Sequence, residues 1–432
     1  MKNTFVISCP IDTYSGYGAR ARDFVKSLVE LNKYDVKVLS QRWGNTSRGF
    51  IDNNKEQWGF LNELIIPGLQ EKPDYWCMVT VPNEFQPVGK YNIGLTAGIE
   101  TTGCDIEWIK GCNKMDLILT SSEHSKSSFL NSHYQNSSNK DDIIKLEKPI
   151  EVLFEGGNLD VYKTIKKFEN KELYNQLDSI PEDFAYINVG HWMQGDLGQD
   201  RKNVGLLIKT FYENFKNKKK TPALILKCSG AGASYMDRDF ILGKIQQIKT
   251  SIEADSLPNI YLLHGEFTDK EINELYNHPK VKAMLSLTKG EGFGRPLLEF
   301  SLTKKPILAT DWSGHIDFLD KEYTPLVSGE LKNVHPSAVV KDVIMEEGKW
   351  FDPNLLEVSS HIQNMFINYK NYTKGAMLQY HKSKNNFNFD KMCELVDNTL
   401  TQYIPEFPKE IQLNLPKLKK PKLELPKLEL PK

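Results

Sequence analysis

Short apolar runs of strand length alternate along this chain with stretches of helical periodicity; the alternation breaks at Ile180-Pro181 and then starts again. Strand, helix, strand is the rhythm of a parallel sheet with helices on its faces, because parallel neighbours need a crossover between them. The first series runs Thr4 to Ser8, Val36 to Leu39, Tyr75 to Val79, Tyr91 to Thr96 and Leu117 to Thr120. The second runs Phe184 to Val189, Ala223 to Cys228, Ile260 to His264, Ala283 to Leu287 and Pro306 to Ala309. Helices are predicted at Val204 to Phe215, Asp269 to Tyr276 and Pro296 to Leu302, and after a glycine turn at Ser15-Gly16-Tyr17-Gly18, where Ala21, Phe24, Val25, Leu28 and Leu31 keep helical spacing. Two such series in 432 residues predict an α/β protein of two doubly wound, Rossmann-like domains, residues 1–180 and 181–378.

The polar stretch from Asn131 to Lys148 reads as a surface insertion, and Lys163 to Ser179 as a charged helix leading into the linker. A closing segment, 379–404, ends in Phe389 to Tyr403, where Met392, Leu395, Val396, Leu400 and Tyr403 form an amphipathic stripe. From 405 to 432 the chain becomes Pro, Lys, Leu and Glu, with Pro-Lys-Leu-Glu-Leu repeated from Pro421 and Pro426; proline at that frequency excludes a helix and predicts disorder or an extended arm.

Composition narrows the function. A net charge of -1 supplies no global field toward nucleic acid or an anionic membrane. The six cysteines are scattered, without metal-ligand or disulfide spacing, so no metal site is expected. Nowhere do eighteen apolar residues run together, and the expected location is the cytoplasm.

Chemistry concentrates in Gly290-Glu291-Gly292-Phe293-Gly294-Arg295-Pro296-Leu297-Leu298-Glu299, between a strand and a helix. Gly292 and Gly294 let backbone amides approach a ligand, and the amides of a helix start favour an anion. Glu299 follows Glu291 by eight positions, so one carboxylate lies on the loop and the other about one turn into the helix, where both can face one pocket. A tight turn with a solvated glutamate is the plainer alternative.

This segment resembles the E-x7-E signature of retaining glycosyltransferases of the GT-B fold, especially the GT4 family. The likeness includes Glu-Gly-Phe-Gly, the Pro-Leu-Leu-Glu helix start, the following Lys-Lys-Pro-Ile-Leu-Ala-Thr strand and Ser313-Gly314. It implies two Rossmann-like domains facing across a cleft, the first on the acceptor side, the second binding a nucleoside-diphosphate-sugar, and residues 379–404 crossing back to the first. By this resemblance Glu291 binds the transferred sugar and Glu299 the ribose hydroxyls, while amides of Phe293, Gly294 and Leu297 meet sugar and diphosphate.

Asp200-Arg201-Lys202-Asn203 resembles the family's cationic segment, with Arg201 or Lys202 stabilising the leaving diphosphate in place of a metal. Many relatives add an arginine where this chain has Gly190-His191. Ile260-Tyr-Leu-Leu-His-Gly-Glu resembles the strand lining the nucleobase pocket, which makes His264 and its neighbours donor-binding candidates; Gly16-Tyr17-Gly18 resembles a glycine loop facing the phosphates. In the Thr96 to Thr102 turn, Glu100 is the polar group nearest the expected transfer site, as catalytic group or sugar ligand. Ser121 to Lys126 is read as helix-capping architecture.

The activity implied is transfer with retained configuration from the activated donor to an acceptor hydroxyl, with no cofactor and no essential metal. The acceptor class stays open among glycan, lipid, small molecule and modified DNA base. Two alternatives stand beside it: a DNA-modifying transferase acting on a hydroxymethylated base, and a non-catalytic glycan- or nucleotide-binding relative.

Overall fold

In the computed structural model, the described residues are 2–135, 143–230 and 232–407. The tail from 408 onward, and with it most of the expected arm, lies outside them, as does part of the expected insertion.

The first half begins β1 (Thr4–Cys9), α1 (Gly16–Leu31), β2 (Asp35–Ser40), two single turns α2 (Phe50–Asn53) and α3 (Lys55–Trp58), β3 (Tyr75–Val79), β4 (Tyr91–Leu95), α4 (Ile106–Asn113), β5 (Leu117–Thr120) and α5 (Glu123–Asn131). A short antiparallel pair, β6 (Tyr134–Gln135) and β7 (Ile143–Ile144), precedes β8 (Ile150–Val152). The main sheet has the order β2-β1-β3-β4-β5-β8, all parallel. Its strands read as continuous apolar runs because both faces are covered.

The second half runs α6 (Lys171–Asp178), β9 (Ala185–His191), α7 (Val204–Phe215), β10 (Ala223–Ser229), α8 (Tyr235–Thr250), β11 (Ile260–Leu263), α9 (Asp269–Asn277), β12 (Val281–Ser286), α10 (Arg295–Ser301), β13 (Ile307–Thr310) and β14 (Leu326–Val327). Its sheet is β11-β10-β9-β12-β13-β14, again all parallel. An antiparallel hairpin, β15 (Gly329–Asn333) and β16 (Lys349–Pro353), follows, then α11 (Leu355–Ile367), α12 (Lys370–Asn386) and α13 (Phe389–Tyr403).

Both sheets are doubly wound, so the α/β expectation holds. Helix α13 buries Met392, Val396 and Leu400 in the first lobe's core, and the chain crosses between lobes twice in one place: Gly157 and Phe387 are backbone-bonded at 2.7 Å, Phe389 and Gly157 at 3.0 Å.

Two local expectations are corrected. Gly16 and Gly18 do not form a turn before the first helix; they are its first residues, because the Ser15 hydroxyl caps it by accepting from the Gly18 amide at 2.9 Å. The charged helix expected over Lys163 to Ser179 is only α6, since Glu274 and Asn277 of α9 draw the amides of Ile165, Glu169 and Asn170 into an irregular path first.

Candidate functional site

In the second sheet the strand order reverses between β9 and β12, and ligands of doubly wound sheets sit beyond the carboxyl ends of the strands at such a reversal. The chain leaving β9 carries Arg201 and Lys202; the chain leaving β12 carries Gly290 to Gly294. They are tied together by the Lys289 amide donating to the Arg201 carbonyl at 2.8 Å. Arg201 and Lys202 sit in the loop before α7, whose start is capped by Asp200 Oδ2 accepting from the Val204 amide at 3.2 Å, so neither cation burdens the helix terminus.

Lys202 Nζ donates to both Glu291 oxygens, at 2.6 and 2.7 Å. Arg201 Nη1 donates to the Gly290 carbonyl at 2.9 Å and stands 3.5 Å from the carboxylates of both Glu291 and Glu100. Burial alone would raise the Glu291 carboxyl, but the charges of Lys202 and Arg201 with the Lys202 bonds outweigh it and hold it down at about 2. Burial pulls Lys202 down in spite of Glu291, whereas Glu100 and Glu291 more than offset the burial of Arg201 and raise it. Two cations and two carboxylates thus neutralise one another across the lobe boundary, since Glu100 belongs to the first lobe.

The lobes touch here through backbone. A Cβ on Gly290 would stand 1.9 Å from the Glu100 carbonyl oxygen, and one on Gly292 would stand 2.0 Å from that of Ala97, so only glycine fits at either position. Ser121, read from sequence as architecture, donates its hydroxyl to the Gly292 carbonyl at 2.9 Å from across the boundary. The Glu291 amide is taken by the Ser313 hydroxyl at 2.9 Å, whereas the amides of Gly292, Phe293 and Gly294 meet no acceptor among the described residues. Leu297, expected to offer another phosphate donor, is corrected: its amide goes to the Gly294 carbonyl at 2.9 Å, inside the first turn of α10.

Glu299 belongs to a second cluster. Its Oε1 accepts from Arg295 Nε at 2.8 Å, and Arg295 also pairs with Asp23 of α1 and stands 3.5 Å from Glu155, on the segment joining the lobes. Glu291 and Glu299 thus have separate cationic partners, Lys202 for the one and Arg295, from the preceding turn, for the other. Burial, helped by Asp269 and opposed by Arg295, pushes the Glu299 carboxyl up to about 8. Arg295 and Asp23 were missed from sequence; the only local signal was the i, i+4 spacing of Arg295 and Glu299.

The remaining candidates are placed as follows. His264 Nε2 is 2.8 Å from Asp237 Oδ2, which also accepts from the Gly230 amide, so His264 is fastened to the first turn of α8. Gly16 and Gly18 lie at the start of α1, where Tyr17 stacks on Trp43 with centroids 4.1 Å apart and its hydroxyl meets Thr96 Oγ1 at 2.9 Å. His191 Nδ1 is 3.0 Å from the Gly230 carbonyl oxygen.

Two six-stranded parallel sheets joined at a double crossing, with the loops beyond their carboxyl ends in contact, define the GT-B fold. Solved structures agree. The chain is similar to a glycosyltransferase from Rickettsia africae (TM-score 0.60, 14% identity, 93% of this chain and 98% of that one). It is also similar to HepE from Anabaena, solved in complex with UDP and glucose (TM-score 0.55, 12% identity, 93% and 100%), and to sucrose-phosphate synthase from Thermosynechococcus elongatus (TM-score 0.58, 10% identity, 93% and 99%). No family model matches the chain, and no curated protein does. Among the described residues no helix is long and apolar enough to cross a membrane.

Proposed function

We propose that this protein is a retaining glycosyltransferase of the GT4 type that moves a sugar from a nucleoside-diphosphate-sugar to an acceptor hydroxyl. The observation that carries the reading is the Lys202–Glu291–Arg201–Glu100 cluster at the lobe boundary, beside the amides of Gly292 to Gly294, which have no acceptor among the described residues. A diphosphate arriving there finds two cations whose charge is at present met by carboxylates, and a sugar finds carboxylates able to accept from its hydroxyls. The UDP and glucose in the complex of HepE make UDP-sugars the first donors to test.

In the reaction the bond from the anomeric carbon to the diphosphate oxygen breaks as the acceptor oxygen bonds to that carbon on the same face. The acceptor's proton passes to the departing phosphate oxygen. Arg201 and Lys202 stabilise the negative charge that develops on the diphosphate, a preorganised role that requires no metal ion. Glu291 and Glu100 position the sugar; they are not the acid and nucleophile of a hydrolase, which would flank the glycosidic bond.

The test is release of nucleoside diphosphate by the purified protein from UDP-, GDP-, ADP- and TDP-sugars, with and without acceptor. Turnover of one donor, lowered on the order of 100-fold or more in Arg201→Ala, is expected. No turnover of any donor, or turnover indifferent to Arg201, contradicts the proposal.

A further inference from the structure

A pocket of about 360 Å³, within the size class of small-molecule sites, opens between the β15–β16 hairpin and the loop that carries Gln199. It shares main chain with the cluster described above, since Lys289 bonds Arg201 through its amide and receives the Phe351 amide on its carbonyl at 2.9 Å. None of Arg201, Lys202 and Glu291 lines it.

The Lys289 side chain is only 2% exposed. One of its protons goes to Asp352 Oδ1 at 2.8 Å, and the other two meet no acceptor among the described residues. A buried ammonium with two unmet donors calls for oxygen acceptors from outside. Lys332 donates to the other Asp352 oxygen at 2.6 Å. His335 Nδ1 accepts from the Ser337 amide at 3.2 Å and is 2.8 Å from the Ser337 hydroxyl, while its Nε2 has no partner among the described residues. The side-chain amides of Gln199 and Asn333 are likewise unpartnered among the described residues.

Charge narrows the ligand class. Lys289 and Lys332 are more than balanced by Asp352, Glu346 and Glu330, whose carboxylate is 3.1 Å from Lys332, so an anion gains no net attraction; the unmet donors of Lys289 repel a cation, and a neutral group whose hydroxyls both donate and accept meets those donors and the amides of Gln199 and Asn333. Pro336 adds an apolar edge for a C–H face, while Trp350, 1% exposed with Lys289 Nζ 5.9 Å from its ring centroid, forms the floor beneath the ammonium. We propose that this pocket is a saccharide subsite, separate from the transfer site, that holds one sugar ring. Its use for a distal residue of a glycan acceptor rests on the transferase reading; the binding itself does not.

The test reads the pocket directly. A fluorinated tryptophan is incorporated, the Trp350 resonance is assigned by its loss in Trp350→Phe, and the otherwise unmodified chain is titrated with glucose, galactose, mannose and N-acetylglucosamine. At least one sugar is expected to shift that resonance saturably, with affinity about fivefold weaker in Lys332→Ala/His335→Ala at unchanged melting temperature, and unaltered in Glu291→Gln. No shift with any of these sugars up to about 50 mM, or a saturable shift with inorganic phosphate in their place, overturns the proposal.

Discussion

Removing Lys202 would leave the Glu291 carboxylate buried with only the more distant Arg201 guanidinium to meet it. Loss of one partner from a buried pair costs far more than the pair contributes, so Lys202→Met is expected to lower unfolding free energy by about 3 kcal/mol in urea titration, with Glu291→Gln in the same chain recovering part of it. The two glutamates also respond oppositely to pH. Glu291 is held below its unfolded value, so its contribution is fully present above the ordinary 4.5 of a glutamate and is lost as pH falls toward about 2. Glu299 is held above its unfolded value: between 4.5 and about 8 the unfolded chain has released a proton that the folded one keeps, so stability falls as pH rises through that window. Glu299→Gln should remove that slope. Melting temperatures from pH 5 to 9 are expected to show the variant gaining on the parent as pH rises; parallel curves would contradict the assignment.

At the scale of elements, the loop from Gly290 to Gly294 sits against the first lobe because Gly290 and Gly292 lack side chains. Gly292→Ala places a methyl group against the Ala97 carbonyl oxygen, forcing the loop away from the first lobe at a cost of about 1 to 3 kcal/mol and with loss of donor turnover; calorimetry and the release assay together check this. Sequence alone revealed much of this architecture. The buried parallel strands announce themselves as apolar runs, and α7 was predicted at its observed bounds because its apolar face is continuous. Helix α8 was missed because Tyr235, Met236 and Phe240 are exposed and break the stripe that marks a surface helix. The β15–β16 hairpin was missed because every residue of β15 is exposed, leaving no alternation to read. Of the candidate site, Arg201, Lys202 and Glu291 were legible from the resemblance of their segments to a family pattern. The partner of Arg295 was not, since Asp23 lies 272 positions away and nothing local to either residue encodes their meeting.

For the whole molecule, the Arg295 cluster is the clearest electrostatic tie between the lobes: Asp23 comes from one, Glu299 from the other, and Glu155 from the segment between them. Asn45 and Met236 face one another across a groove between the lobes. Spin labels at Asn45→Cys and Met236→Cys, with Cys393 replaced by serine because the other five cysteines are buried, measure the lobe spacing. Asp23→Asn is expected to lengthen and broaden that distance, since cutting one buried partner weakens the tie; an unchanged distribution would show that backbone contacts alone hold the lobes. The central claim, that Arg201, Lys202 and Glu291 hold the diphosphate-linked sugar, is met most directly by thermal shift against UDP-, GDP-, ADP- and TDP-sugars in parent and Arg201→Ala/Lys202→Ala chains. One donor is expected to raise the parent's melting temperature by a few degrees and to leave the double variant unmoved. A rise of equal size in both chains, or in neither with any donor, would contradict it.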